Sequence, residues 1–287
     1  MKYIPSQPPE GINVPNEHPL KSLLILTTGT ITSILIILFV ISLLADFVVS
    51  FIPVEYEQSL FKDKNIGDLV MKTDSESSGD VQQYLQTLVN SLHQQAGSEY
   101  SDHVFKVSLN TMSQPNAFAV PGGHIIVTTG LLNSVTSENG LAMVLAHEIG
   151  HHYERHPLRG LGRGLVVALF LSAISGFDIG GYADKFVERT AFIGQLAYSR
   201  KQETASDQIA LTLLQKKYGH ANGASEFFNF IKSTSEDSHE SPVFLSTHPS
   251  TQERLDYLKQ AERQDYGDKK MIPNNILEQL QKKSVIQ

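Results

Sequence analysis

His147-Glu148-Ile149-Gly150-His151 sets two imidazoles four residues apart, with a carboxylate directly after the first. On an α-helix, residues four apart lie about 40° apart around the axis, so both rings can face one metal ion. A Zn²⁺ ion held there would acidify a water ligand to a pKa of about 7, and a carboxylate beside it can take the proton and later pass it to a leaving amine. The spacing therefore points to hydrolysis at a zinc centre, with Glu148 as the general base. Two His that merely share the wet face of a helix are the plain alternative, and the rest of the chain has to decide between them.

A catalytic zinc needs a third protein ligand and keeps one position open. A metzincin would require Gly and His where this chain has Glu154 and Pro157, which removes that branch. Farther on, Ser199-Arg200-Lys201-Gln202-Glu203-Thr204-Ala205-Ser206-Asp207 offers Glu203 and Asp207 four apart, in a run whose apolar positions continue through Ile209, Leu211, Leu213 and Leu214. That spacing puts both carboxylates on one helical face. Glu203 then suits the third ligand, and Asp207 suits a partner that accepts the other ring N–H of His147 and fixes its tautomer. An ordinary charged helical face is the competing account, and the upstream motif weighs against it.

Two more segments can serve the same centre. Asn116-Ala117-Phe118-Ala119-Val120-Pro121-Gly122-Gly123-His124-Ile125-Ile126-Val127 reads as strand, turn and strand leading toward the metal-binding helix. Asn116, Ala117, Phe118, Ala119 and Val120 could pair with an extended substrate, because main-chain hydrogen bonds ignore side-chain identity. A plain hairpin fits the same residues. Later, Ser246-Thr247-His248-Pro249-Ser250-Thr251-Gln252-Glu253-Arg254 places His248 and Arg254 around a helix start, with Pro249 near its first turn. His248 could donate to the oxyanion of a tetrahedral intermediate, or cap the open metal position at rest. Arg254 could hold that loop by pairing with a carboxylate. A polar loop with a surface Arg accounts for these residues equally well.

Taken together, the NAFAVPGGHIIV hairpin, the HEIGHH helix, the SRKQETASD segment and the THPSTQER segment resemble, in order and spacing, the HtpX-like and Oma-like metalloendopeptidases of metallopeptidase family 48. The resemblance covers roughly Val81 to Arg263. It implies a gluzincin: one zinc ion held by His147, His151 and Glu203, Glu148 as general base, Asp207 behind the ligands and His248 near the open side. Many relatives have Glu-Ala-Asp where this chain has Ala205-Ser206-Asp207, a departure that leaves Glu203 and Asp207 in place. The family degrades misfolded or misassembled proteins, often at membranes, and one branch trims prenylated peptides. Polypeptides are therefore the implied substrates, without a choice among them.

A membrane attachment is legible independently. Ser22 to Ala45 are 24 residues without a charge, enough to cross a hydrocarbon core of about 30 Å as a helix. The lipid bilayer is thus an expected partner through residues 22–46. A cleaved signal peptide competes, but the run is longer than such a core and no small-x-small site follows it before Asp46-Phe47. Lys2 and Lys21 precede the segment while Lys62 and Lys64 follow it, and Lys21 alone touches the boundary. This balance favours a single-pass protein with a cytoplasmic N-terminus and an extracytoplasmic catalytic domain, on the periplasmic side in a bacterium. The chain has no Cys, which rules out a disulfide framework and a lipid-modified Cys. No Arg precedes Arg155, against an Arg-rich transit peptide. A net charge of −7 and the lack of a basic aromatic strip argue against nucleic acid as a partner.

The elements that must position these groups follow. An amphipathic helix is expected from about Ser137 to His156; on it His152 and His156 point roughly 100° or more away from His147 and His151, which speaks against a second metal. The apolar run Gly164 to Phe177 is too short to span and reads as a core helix or a membrane-surface segment, followed by Gly176, Gly180 and Gly181 in a stretch that could gate the cleft. Asp80 is the expected N-cap of a helix with Val81, Tyr84, Leu85, Leu88, Val89 and Leu92 on one face. Strands are expected around Val104 to Leu109 and Ala117 to Thr128. The class is α+β: a mainly helical gluzincin-type zinc metallopeptidase domain with a small sheet, preceded by one transmembrane helix. Residues 1–21, rich in Pro, read as a disordered tail, 22–46 as the anchor, 47–80 as a connector, 81–263 as the zinc metallopeptidase domain and 264–287 as a charged tail. The expected function is a membrane-anchored zinc metalloendopeptidase in protein quality control. A membrane-tethered chaperone or assembly factor with latent proteolysis is the alternative from another class. A purely structural zinc is weaker unless His248 closes the fourth position.

Overall fold

The computed structural model describes residues 18–62, 79–175, 198–237, 243–249 and 251–284. The Gly176, Gly180 and Gly181 stretch and the tail at residues 1–17 lie outside them, as do the side chains of the expected core run beyond residue 166. The chain divides into two compact units, one ending at Leu44 and one beginning at Ala45.

Helix α1 (Pro19–Val49) has 31 residues. It is the one helix among the described residues long and apolar enough to cross a membrane. Leu23, Ile31, Ile36 and Phe39 stand exposed along it, and the Thr27 hydroxyl donates back to the Leu23 carbonyl at 2.8 Å. A polar group satisfied inside its own helix suits a segment that meets hydrocarbon instead of water.

From Ala45 onward the elements are α2 (Val54–Phe61), α3 (Gly79–His93), β1 (Lys106–Asn110), β2 (Ala117–Val120), β3 (His124–Thr128), α4 (Thr129–Ser134), α5 (Glu138–Tyr153), α6 (His156–Ser175), α7 (Arg200–Tyr218), α8 (Glu226–Asp237), α9 (Val243–Thr247), α10 (Gln252–Gln264) and α11 (Asn274–Ser284). This is the expected mainly helical α+β class. The sheet runs β1-β3-β2, with β1 parallel and β2 antiparallel to β3. Gly122 and Gly123, with φ of 89° and 82°, make the hairpin turn where a side chain would be strained. α3 buries Val81, Leu85, Leu88, Val89 and Leu92, the expected face, but Asp80 lies inside its first turn and is not its cap.

α5 sits at the centre. The Ser137 side chain caps it by accepting from Gly140 N, satisfying a backbone donor that the helix leaves unpaired. Every residue from Glu138 to Tyr153 is buried, so the expected amphipathic helix is instead enclosed all round. The physical reason is packing on several sides at once, by α3, β2, α7 and α8. The helix also ends earlier than expected. It stops at Tyr153, and Arg155 adopts a φ of 58° before α6 begins at His156.

One core runs from Val81 through Leu145 and Leu214 to Ile272, Ile276 and Leu280. Residues beyond 263 therefore contribute buried side chains where a charged tail was expected, because Ile276 and Leu280 lie one turn apart on α11 and Ile272 is buried just before it. A smaller cluster joins Val49 and Phe61 to Phe118, Val120, Ile126 and Leu158.

Candidate metal centre

Three elements converge on one point. α5 brings His147 and His151, α7 brings Glu203 and Asp207, and His248 follows directly on α9. α5 and α7 come close because Gly150 has no side chain: a Cβ there would lie 3.0 Å from the backbone of Ser206. α7 starts with a capping box in which Ser199 and Gln202 satisfy each other's backbone, and this puts Glu203 in the first helical turn.

The rings are in mutual reach. His147 Nε2 lies 3.0 Å from His151 Nε2 and 3.4 Å from His248 Nδ1. Glu203 Oε1 is 3.4 Å from His151 Nε2 and 3.2 Å from His248 Nδ1, and Glu203 Oε2 is 3.5 Å from His147 Nε2. One donor atom from each of these four buried residues lies within 4.8 Å of all the others. Three imidazoles and a carboxylate are the donor types zinc takes in four-coordinate sites. His248 turns Nδ1 to the other three, while its Nε2, without a hydrogen-bond partner among the described residues, is the nitrogen nearer Glu148. The set fits one zinc ion.

Behind the four, His147 Nδ1 is 2.9 Å from Asp207 Oδ1. Arg254 contacts both acids of α7, with Nη1 2.5 Å from Glu203 Oε2 and Nε 2.7 Å from Asp207 Oδ2, and it donates to the Pro249 carbonyl at 3.0 Å. Pro249 lies shortly before α10, near its first turn as expected; Thr251 is the cap of α10, accepting from Arg254 N at 3.2 Å.

The electrostatics follow from burial and pairing. Burial would raise Glu203, yet His248 and the hydrogen bonds of His147 and His151 outweigh it and hold the carboxyl well below the ordinary carboxylate range. Burial would lower His147, but its bonds to Asp207 and Glu203 prevail and raise it to about 9. Burial carries His151 well below the ordinary imidazole range. Glu148, fully buried, is pushed above its ordinary value by burial against the pull of His248 and His147. Its Oε1 lies 3.6 Å from His248 Nε2.

β2 passes this point. Asn116 O accepts from Thr128 N at 3.0 Å, so by the period of two Phe118 and Val120 turn their backbone groups to β3 and Ala117 and Ala119 turn theirs away. The Ala119 N–H is close enough to Glu148 to favour its ionised form. Asn116 to Val120 are at most 4% exposed, and both side-chain amide atoms of Asn116 lack a hydrogen-bond partner among the described residues.

Sequence reasoning missed several neighbours. Tyr198 stacks on His151 with ring centroids 3.9 Å apart, and Phe244 stacks on His248 at 4.6 Å. The Ser199 cap was the available signal for Tyr198, since it places that residue just outside the helix. His156, expected to point away, has its Nδ1 2.9 Å from His151 Nδ1. The expectation assumed one unbroken helix, and the turn at Arg155 brings the ring back.

The profile of peptidase family M48 matches residues 80–262. The mitochondrial metalloendopeptidase OMA1 of Schizosaccharomyces pombe is 33% identical over 162 residues, 56% of this chain and 47% of that protein. Human metalloendopeptidase OMA1 is 32% identical over 155 residues, 50% of this chain and 29% of its own length. The putative beta-barrel assembly-enhancing protease of Vibrio cholerae is 30% identical over 168 residues, 55% of this chain and 34% of that protein. The matched region thus spans less than half of each of these relatives.

Proposed function

The chain belongs to peptidase family M48, and from that membership together with the geometry of its metal centre we propose that it is a zinc-dependent metalloendopeptidase carried on a membrane anchor. The observation that carries the reading is the buried His147, His151, Glu203 and His248 cluster with Glu148 beside it. Zinc, when bound by His147, His151 and Glu203, supplies a Lewis acid that polarises a peptide carbonyl and acidifies water.

The chain's own residues do the rest. Glu148 takes a proton from the attacking water and returns it to the departing amine; burial strengthens it as a base for that role. Asp207, whose Oδ1 lies 2.9 Å from His147 Nδ1, favours the proton on that nitrogen and so keeps His147 Nε2 turned to the centre. Arg254 neutralises Asp207 and Glu203 together and ties the Pro249 loop to them. The outward edge of β2, Ala117 and Ala119, holds the substrate backbone in extended form next to Glu148, with the amide of Asn116 at its start.

His248 and β2 favour a resting form. His248 Nδ1 lies among the ligand atoms, and β2 is covered. This supports the second of the roles open to His248, closing the fourth position at rest, over donation to an oxyanion, and it describes a latent protease. Substrate then has to displace His248 and uncover the strand.

Residues 22–46 act as the anchor, with a cytoplasmic N-terminus and the peptidase domain outside the cytoplasm. Misfolded or misassembled proteins close to the bilayer are the fitting substrates. The deciding experiment is casein cleavage by the full chain in detergent, wild type beside Glu148→Gln, with zinc measured on both. Cleavage lost in the variant at equal zinc is the expected result. Equal cleavage by both would remove Glu148 from the mechanism, and equal zinc in Glu203→Ala would remove Glu203 from the ligands.

A further inference from the structure

The geometry points to His156 as a positioning residue that fixes the tautomer and orientation of the metal ligand His151. The inference rests on the proposed zinc centre and adds a residue to it. His151 Nε2 faces the cluster, 3.0 Å from His147 Nε2 and 3.4 Å from Glu203 Oε1. Its other nitrogen, Nδ1, lies 2.9 Å from His156 Nδ1. Two nitrogens at that distance share one proton. An imidazole that offers the Nε2 lone pair to a cation carries its proton on Nδ1. His151 is therefore the donor and His156 Nδ1 the acceptor, which leaves the proton of neutral His156 on Nε2.

The fold is arranged to make this pair. Five residues along an unbroken helix would turn His156 about 140° away from His151. Instead α5 ends, and Arg155 takes a φ of 58°, the one positive φ outside glycine among the described residues. Arg155 is held there from α2 and the chain before it, by Glu57 at 2.8 Å and the Ile52 carbonyl at 2.8 Å. His156 is 4% exposed, and Tyr198 covers the face of His151. The two α5 ligands are thus supported differently: His147 leans on a carboxylate paired with Arg254, and His151 on a neutral ring.

Zinc affinity of the full chain in detergent, read by competition with a chromogenic chelator, tests this without relying on turnover. His156→Phe keeps the ring and removes the acceptor; it should weaken zinc binding roughly 10–100-fold, whereas His156→Gln, which retains an acceptor oxygen, should recover most of the loss. A folded His156→Phe with wild-type affinity overturns the inference, and so does a Gln variant as weak as Phe, which would mean packing alone. If His156→Phe does not fold, ring ¹⁵N spectra of the zinc-loaded wild type decide: an unprotonated Nδ1 on His156 supports the assignment and a protonated one overturns it. A wild-type chain that binds no zinc removes the metal centre itself, and this inference with it.

Discussion

Arg254 binds two buried acids that stand one turn apart on α7, so each depends on it. Breaking a buried pair by deleting one partner leaves an uncompensated charge, typically costing about 3–5 kcal/mol. Arg254→Ala should therefore lower the thermal midpoint sharply and release zinc with it. Arg254→Lys should rescue little, because one ammonium cannot reach both carboxylates as the guanidinium fork does; a Lys variant with wild-type stability would contradict this account. At the same scale, His248→Ala should retain zinc and raise basal casein cleavage several-fold if the ring closes the fourth position, as its place among the ligands implies. Cleavage that falls by about 10²–10³ would instead assign it to the oxyanion. The His and Glu of this centre were legible because a helix converts spacing into direction. Tyr198 and Phe244 were not, since ring stacking on His151 and His248 depends on segments brought together only by the whole fold.

Among the elements, α5 is the one whose placement everything else depends on, and its N-terminus is clamped by a residue of α8. Glu226 accepts from Thr136 N at 2.6 Å, Ser137 N at 2.9 Å and the Ser137 hydroxyl at 2.6 Å, and pairs with Lys269 at 3.0 Å. Burial would raise this carboxyl, but those bonds win and bring it down to about 2. A folded-state pKa below the unfolded value of 4.5 makes the stabilisation full above that value and lost as the pH falls toward 2. Wild type should thus be more stable than Glu226→Gln at pH 6, and the gap should narrow between pH 4.5 and 2. A gap that is constant with pH in denaturant titrations would mean the carboxylate charge is irrelevant. The sequence located α5, β2 and β3 well, because the four-residue His spacing and the Pro-Gly-Gly turn are local signals. It did not reveal the break after Tyr153. Nothing at Glu154-Arg155 favours a left-handed residue, and its cause is tertiary, the hold of Glu57 and Ile52 on Arg155.

At the scale of the molecule, the segment after α10 completes the peptidase unit. The Lys270 carbonyl accepts from Glu138 N at 2.7 Å, Lys270 N donates to Asn139 at 2.8 Å, and Met271 bridges Ser137, all at the start of the helix that carries His147 and His151. Ile272, Ile276 and Leu280 then enter the same core as Leu85 and Leu131. The charged character of residues 264–287 hid this, because Ile276 and Leu280, one turn apart among polar residues, signal a helix face only when a core is already there to receive them. Two variants separate the contributions. Ile276→Ala removes buried atoms from the periphery of the core and should cost about 2–4 kcal/mol while leaving zinc stoichiometry unchanged. A chain ending at Gln264 loses both the apolar face and the backbone bonds at the start of α5, so it should lose cooperative unfolding and zinc together. Should the truncated chain melt and bind zinc like the wild type, α11 would be an accessory and the N-terminus of α5 would be held by Glu226 and Ser137 alone.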